Sequence, residues 1–309
     1  MYGGTVISTA IPLRARCTLE RSDKLTFQSR TQVHLAEDLE LRGDEFDVCR
    51  VALQGLGFSV ANARFTLRIE SDIPEQSGLA GSSALLTAIV GCLMKYEGTL
   101  PSLPHLFAER ARQIEANRLQ VACGYQDFYM AVFGGLNLMD FRDKEGLGTD
   151  PAEPWATVES LQAYCESNAL PMWLATTGGK RFSGTVHQSL RARWEGGDSE
   201  VVQGMARLGR LAREARAPLL AGDWQKLGAL MNENYAIIHT LGGSGESLHQ
   251  LVQIALENGA LGAKLAGAGG AGGSVIVLTL EPERALSALR EVADQIIPIA
   301  PHAPGATFH

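Results

Sequence analysis

The sequence lacks the patterns of a membrane protein, a disulfide scaffold and a serine hydrolase. No apolar run reaches bilayer length; the longest, Ala84 to Met94, suits a buried helix. No basic opening leads into an apolar stretch, so no secretory leader is expected. The 5 cysteines, Cys17, Cys49, Cys92, Cys123 and Cys165, are odd in number, widely spaced and never form C-x-x-C. That argues against a disulfide framework and a zinc site, and it suits a reducing cytoplasm. Basic charge is also short: 27 Lys plus Arg against 34 Asp plus Glu leave a net charge of -7. Without a basic cluster, neither nucleic acid nor a membrane surface is expected as a partner. G-x-x-x-x-G-K-[ST], G-x-S-x-G, fixed-period repeats and low-complexity tracts are all missing. Their absence excludes a Walker-type nucleotide site, an esterase elbow and a solenoid.

What is present is a chain of 309 residues with 45% hydrophobic side chains, enough for one large core or two ordinary ones. Strand patterns cover residues 5–11, 15–20, 25–29, 65–70, 136–141 and 172–177. Helical patterns cover 46–56, 82–96, 103–119, 184–194, 199–220, 224–239 and 247–258. The end reads as strand 263–266, glycine loop, strand 274–280, helix 282–294 and strand 295–299. The mixture predicts an α+β fold more than a regular βαβ repeat. A polar, Gly/Pro-containing loop over 143–154 predicts a domain boundary, with domains 1–150 and 151–309.

Four stretches carry candidate chemistry. Residues Ile73 to Ala84, IPEQSGLAGSSA, run from a strand through a Gly/Ser loop into an apolar helix. Backbone N–H groups of Gly78, Leu79, Ala80 and Gly81, with a helix N-terminus behind them, make an anion site. Ser82 and Ser83 suit an N-cap or the hydroxyl ligand of a phosphate-bound metal; a plain capped turn uses the same residues. Lys264 to Gly273, KLAGAGGAGG, formally contains G-x-G-x-x-G, but a strand pattern follows where a dinucleotide fold requires a helix. Such a loop can still press its backbone against phosphates or substrate. Glu115 and Asp127 flank the stretch that leads into GYQDFYMAVFGG, where one carboxylate can hold Mg2+ and another can orient a hydroxyl or take its proton. Alone, either is equally a solvated surface charge. Finally, TTGGKRFSGTVH with Arg191 is basic in an acidic chain and suits an anionic ligand, or simply a solvated helix face.

Together and in this order, these motifs resemble the GHMP kinases. IPEQSGLAGSSA is similar to the family's second motif and KLAGAGGAGG to its third. Within the family the sugar-1-kinase branch is most similar. GYQDFYMAVFGGLNLMDF resembles both glucuronokinases and heptose 7-phosphate kinases, and SGTVHQSLRARWEGGD resembles glucuronokinases. The resemblance implies a ribosomal-protein-like N-terminal domain, a ferredoxin-like C-terminal domain, and ATP and sugar in the cleft between them. It implies that Gly78 to Ser83 wrap the ATP phosphates, that Ser83 and Glu115 hold Mg2+, and that Asp127 is catalytic. Gly267, Ala268, Gly269 and Gly270 would form the substrate floor, with Arg181, His187 and Arg191 toward an anionic sugar group.

The expected activity is transfer from ATP to the anomeric hydroxyl of a glucuronate-like sugar, by a cytoplasmic monomer or homodimer. A heptose 7-phosphate kinase or a catalytically silent homologue is the alternative. The family's first motif, near the N-terminus, has no counterpart, because the sequence opens at Met1-Tyr2-Gly3-Gly4. The expectation is a start codon assigned too late, with a fragment or lost activity as the other readings.

Overall fold

The computed structural model describes residues 2–119, 124–142, 144, 155–164, 170–177, 190–267, 269–270 and 272–309. Its strands are β1 (Thr5–Thr9), β2 (Ala15–Arg21), β3 (Thr26–Gln28), β4 (Val33–Leu35), β5 (Phe65–Ser71), β6 (Leu136–Asp140), β7 (Thr157–Ser160), β8 (Met172–Thr176), β9 (Gly262–Leu265), β10 (Ser274–Leu278) and β11 (Gln295–Pro298). Its helices are α1 (Asp47–Leu56), α2 (Gly81–Glu97), α3 (Pro104–Leu119), α4 (Tyr125–Phe133), α5 (Ser199–Ala221), α6 (Trp224–Thr240), α7 (Glu246–Glu257) and α8 (Pro282–Arg290). Among the described residues, no helix is long and apolar enough to cross a membrane.

Alternation builds the N-terminal half. Phe65, Leu67 and Ile69 of β5 are buried while the residues between them are not, the period of a one-sided strand. β5 lies between β2 and β3 in the order β2-β5-β3-β4, and only the β3–β5 pair is parallel. Helices α1 to α4 pack their apolar faces on that buried side, in one core with Leu53, Ile89, Leu93, Phe107 and Phe128. A second antiparallel sheet, β1-β6-β7, completes this half. The expected boundary at 150/151 falls outside the described residues; beyond it, β7 still pairs with β6.

The C-terminal half is an antiparallel sheet in the order β11-β8-β10-β9. The chain reaches it through strand, helices, two strands, helix and strand, a ferredoxin-like path with α5, α6 and α7 in its first crossover. Asp198 and Asp223 start α5 and α6 by accepting bonds from first-turn N–H groups. The halves share an apolar seam, in which Leu136 and Leu161 pack with Leu219, Leu227, Met231 and Leu278. The Arg216 guanidinium also pairs with Glu159 across it. The last residues cross back over the α4–β6 turn, where the Gly135 N–H donates to Ala303 and the Ala306 N–H to Val132.

Candidate active site

A cavity of about 1230 Å³ opens between the halves. Its wall brings together residues of three separate motifs: Gly78, Leu79 and Ala80; Asp127; and Lys264 to Gly267. One stripe of α2 also faces it, formed by Ala84, Thr87, Ala88, Cys92 and Lys95, at the spacing that puts residues on one helix face.

The loop before α2 holds an unusual backbone. Gln76, Gly78 and Ala80 all have positive φ, at 55°, 76° and 58°. For the two non-glycines this is a strained region that folds keep mainly at functional sites. Ala80 is the N-cap of α2, and no side chain caps the helix. The serine-cap reading therefore does not describe this turn: Ser82 is exposed, and Ser83 is buried in the first turn. First-turn N–H groups with the helix dipole behind them suit a phosphate. The loop is braced by Ser77, whose hydroxyl donates to the Pro74 carbonyl at 2.8 Å.

A buried bond joins the first glycine motif to the strand that follows the second. Ser274, the first residue of β10, donates its hydroxyl to the Ser77 carbonyl at 2.8 Å, across 197 positions of sequence. Ser274→Ala leaves that buried carbonyl without its donor, which costs about 1–3 kcal/mol. The expected result is a Tm lowered by a few degrees in thermal denaturation.

Asp127 sits in the first turn of α4 and faces the cavity. Beneath it, α4 is clamped by buried charge. The Arg112 guanidinium lies 4.0 Å from the centroid of the Tyr125 ring and the Lys144 ammonium 4.6 Å from it. Lys144 also pairs with Glu109 at 2.8 Å, and the Tyr129 hydroxyl donates to the same carboxylate at 2.5 Å. Burial and that carboxylate push the Tyr129 phenol pKa upward, so it stays a protonated donor. These contacts hold the backbone that aims Asp127.

In the second glycine motif, Gly267 lines the cavity, while Gly269 and Gly270 do not. Gly270 clips the loop to the α6–α7 turn, and Gly269 packs closely against Gly243 of that turn. The Gly270 N–H donates to Gly243 at 3.0 Å, and the Gly245 N–H donates to Gly270 at 2.9 Å. Ala268 and Ala271 lie outside the described residues, as do Arg181 and His187. Arg191 does not line the cavity; its guanidinium bonds Glu195 at 2.6 Å and lies 4.9 Å from the Trp194 ring centroid. Ser83 and Glu115 are both buried, at 4% and 6% exposure, and neither lines the cavity. Among the described residues, no group of three or more His, Cys, Asp or Glu side chains is placed to hold a metal ion. Sequence reasoning passes over Lys264 as a site residue, and the α2 stripe as well; its helical spacing is the available signal.

Family models match parts of both halves of the chain. The family model "GHMP kinases N terminal domain" matches residues 47–135, and "GHMP kinases C terminal" matches 215–297. The chain is 32% identical over 229 residues to probable glucuronokinase 2 of Arabidopsis thaliana, a match that covers 70% of this chain. It spans only 58% of the length of that relative. It is 26% identical to the D-glycero-alpha-D-manno-heptose 7-phosphate kinase of Campylobacter jejuni, over 88% of this chain and 80% of that protein. The crystal structure of Lactococcus lactis galactokinase complexed with galactose superposes with a TM-score of 0.76 at 19% identity, covering 99% of this chain and 90% of that one.

Proposed function

This chain belongs to the GHMP kinases, and on that premise we propose that it transfers the γ-phosphoryl group of ATP to the anomeric hydroxyl of a sugar acid of the glucuronate kind. The observation that carries the reading is the shared cavity, where the strained loop before α2, Asp127 and Gly267 meet. Phosphoryl transfer asks little covalent work of the protein and depends on positioning and charge stabilisation. In this reading, Gly78 to Ser83 cradle the phosphates with backbone N–H groups. Asp127 accepts or orients the proton of the attacking sugar hydroxyl. Gly267 lets the loop backbone approach the reactants closely. The Ser83 hydroxyl and the Glu115 carboxylate are donors of the kind a hard, oxygen-seeking cation such as Mg2+ takes, but both are buried away from the cavity wall, so no step is routed through an ion on them.

The likeness to a glucuronokinase supports a uronic acid as the acceptor. The match to the heptose 7-phosphate kinase spans more of both chains and supports a second reading, in which the acceptor carries a phosphate instead of a carboxylate. Both acceptors are anionic. ADP release measured across glucuronate, galacturonate, galactose and heptose 7-phosphate separates them. The proposal expects the highest kcat/KM with a uronic acid, at least about tenfold above galactose, one decade being the worth of a single ion pair of about 1.4 kcal/mol. Preference for the heptose phosphate replaces the first reading with the second, and turnover of none of the four overturns both.

A further inference from the structure

One cation on the cavity wall has no task in the reading above. Lys264 belongs to β9, directly before the glycine loop, and it is partly buried in the wall of the cleft shared with Gly78, Asp127 and Gly267. Its ammonium donates to the Leu265 carbonyl at 2.6 Å, and among the described residues it forms no ion pair. Other cations at this wall are engaged or solvated. Arg16 pairs with Asp72 at 2.7 Å, Arg14 donates to the Gly305 carbonyl at 2.9 Å, and Lys95 is exposed. Desolvation lowers the Lys264 pKa to about 8, which leaves the group mostly charged at pH 7 yet poorly compensated. A desolvated ammonium facing a cleft that takes anionic reactants gains most by pairing with one of their oxygens.

We propose that Lys264 is an oxyanion-binding residue of the cleft, pairing with a phosphate oxygen of the nucleotide or the anionic group of the sugar. The inference rests on the kinase reading for the identity of the reactants. Its test does not require turnover. Binding of ATP, tripolyphosphate, glucuronate and adenosine is measured by calorimetry for the wild type, Lys264→Met and Lys264→Arg. At pH 7, Lys264→Met is expected to lose about tenfold or more in affinity for at least one anion, the loss typical of one charge-assisted bond. Adenosine binding is expected to be unchanged, and Lys264→Arg to recover most of the loss. Loss for tripolyphosphate assigns the nucleotide phosphates as the partner; loss for glucuronate assigns the sugar carboxylate.

The pH response gives a readout that a structural role would not move. The anion binds the protonated amine, so wild-type affinity falls as pH rises through about 8. Lys264→Arg keeps its charge and does not show that fall. Asp127, Cys92 and His309 also line the cavity. Of the elements packed on β9, α6 carries Tyr235, His239 and the Glu233 that pairs with Arg207, and α7 carries Glu246 and His249. All of these persist in Lys264→Arg, so a pH response retained there belongs to them and overturns the assignment. The assignment is equally overturned if Lys264→Met binds every anion as the wild type does, if its loss extends to adenosine, or if the wild type binds none of the anions. Wild-type binding of the anions without turnover of any sugar overturns the kinase reading and leaves the Lys264 assignment standing.

Discussion

Asp127→Asn is expected to lower kcat on the sugar by roughly 10²–10⁴-fold, the range for loss of a general base. ATP binding is expected to stay near the wild-type value. The split follows from geometry. Asp127 faces the cavity from the first turn of α4, whereas the N–H groups proposed to cradle the phosphates belong to the start of α2, a separate element. The substitution keeps size and shape and removes only the charge. That charge also sits at a helix N-terminus, where it contributes about 0.3–1 kcal/mol. The fold therefore loses little, and a variant with a near-normal Tm and a rate lower by roughly three decades separates chemistry from stability. Loss of ATP binding together with the rate would instead place Asp127 at the nucleotide.

Gly269→Val is expected to destabilise the protein by about 2–5 kcal/mol and to abolish measurable turnover. Two costs add. Gly269 has φ 75°, a left-handed conformation that costs a side-chain-bearing residue roughly 1–2 kcal/mol. A Cβ at this position would also lie 1.8 Å from the Gly243 carbonyl oxygen and 2.6 Å from a Leu265 methyl. Overpacking of that kind costs about 1–3 kcal/mol when the neighbours yield. The nearest neighbour here is backbone, so the loop itself must leave the α6–α7 turn, and Gly267 moves with it. Gly242→Ala is the control. Its φ is 83°, and nothing lies within 4 Å of the added Cβ, so only the conformational cost remains. Thermal melts should show a small shift for Gly242→Ala and a severalfold larger one for Gly269→Val. Equal shifts would mean that the clash, and with it the clip between the two loops, does not matter.

The order of elements is legible where local chemistry announces it. Asp198 and Asp223 mark their helix starts, the alternation in 65–70 yields β5, and the two glycine motifs sit in loops at the ends of named elements. No helical pattern announces α4, which carries Asp127. YQDFYMAVF is rich in aromatic residues, Tyr125, Phe128 and Tyr129 are all buried, and no polar face marks the helical period. Strands β4 and β7 are short pairings that register with a partner creates, and no local pattern announces them. Lys144 reads as part of a polar loop, yet it is buried because Glu109 and the Tyr125 ring lie beside it, partners distant in sequence. The Ser77–Ser274 bond is invisible for the same reason. The candidate site is thus legible as a set of motifs, while the contacts that join and brace them require the fold.

Phosphorus NMR of the product formed from ATP, Mg2+ and glucuronate tests the proposed transfer at the phosphorus atom itself. The spectrum is expected to show one new phosphate monoester, its phosphorus coupled to the anomeric proton, formed one-to-one with ADP. A phosphate on any other carbon, or ATP bound with no sugar phosphate formed, would contradict that transfer.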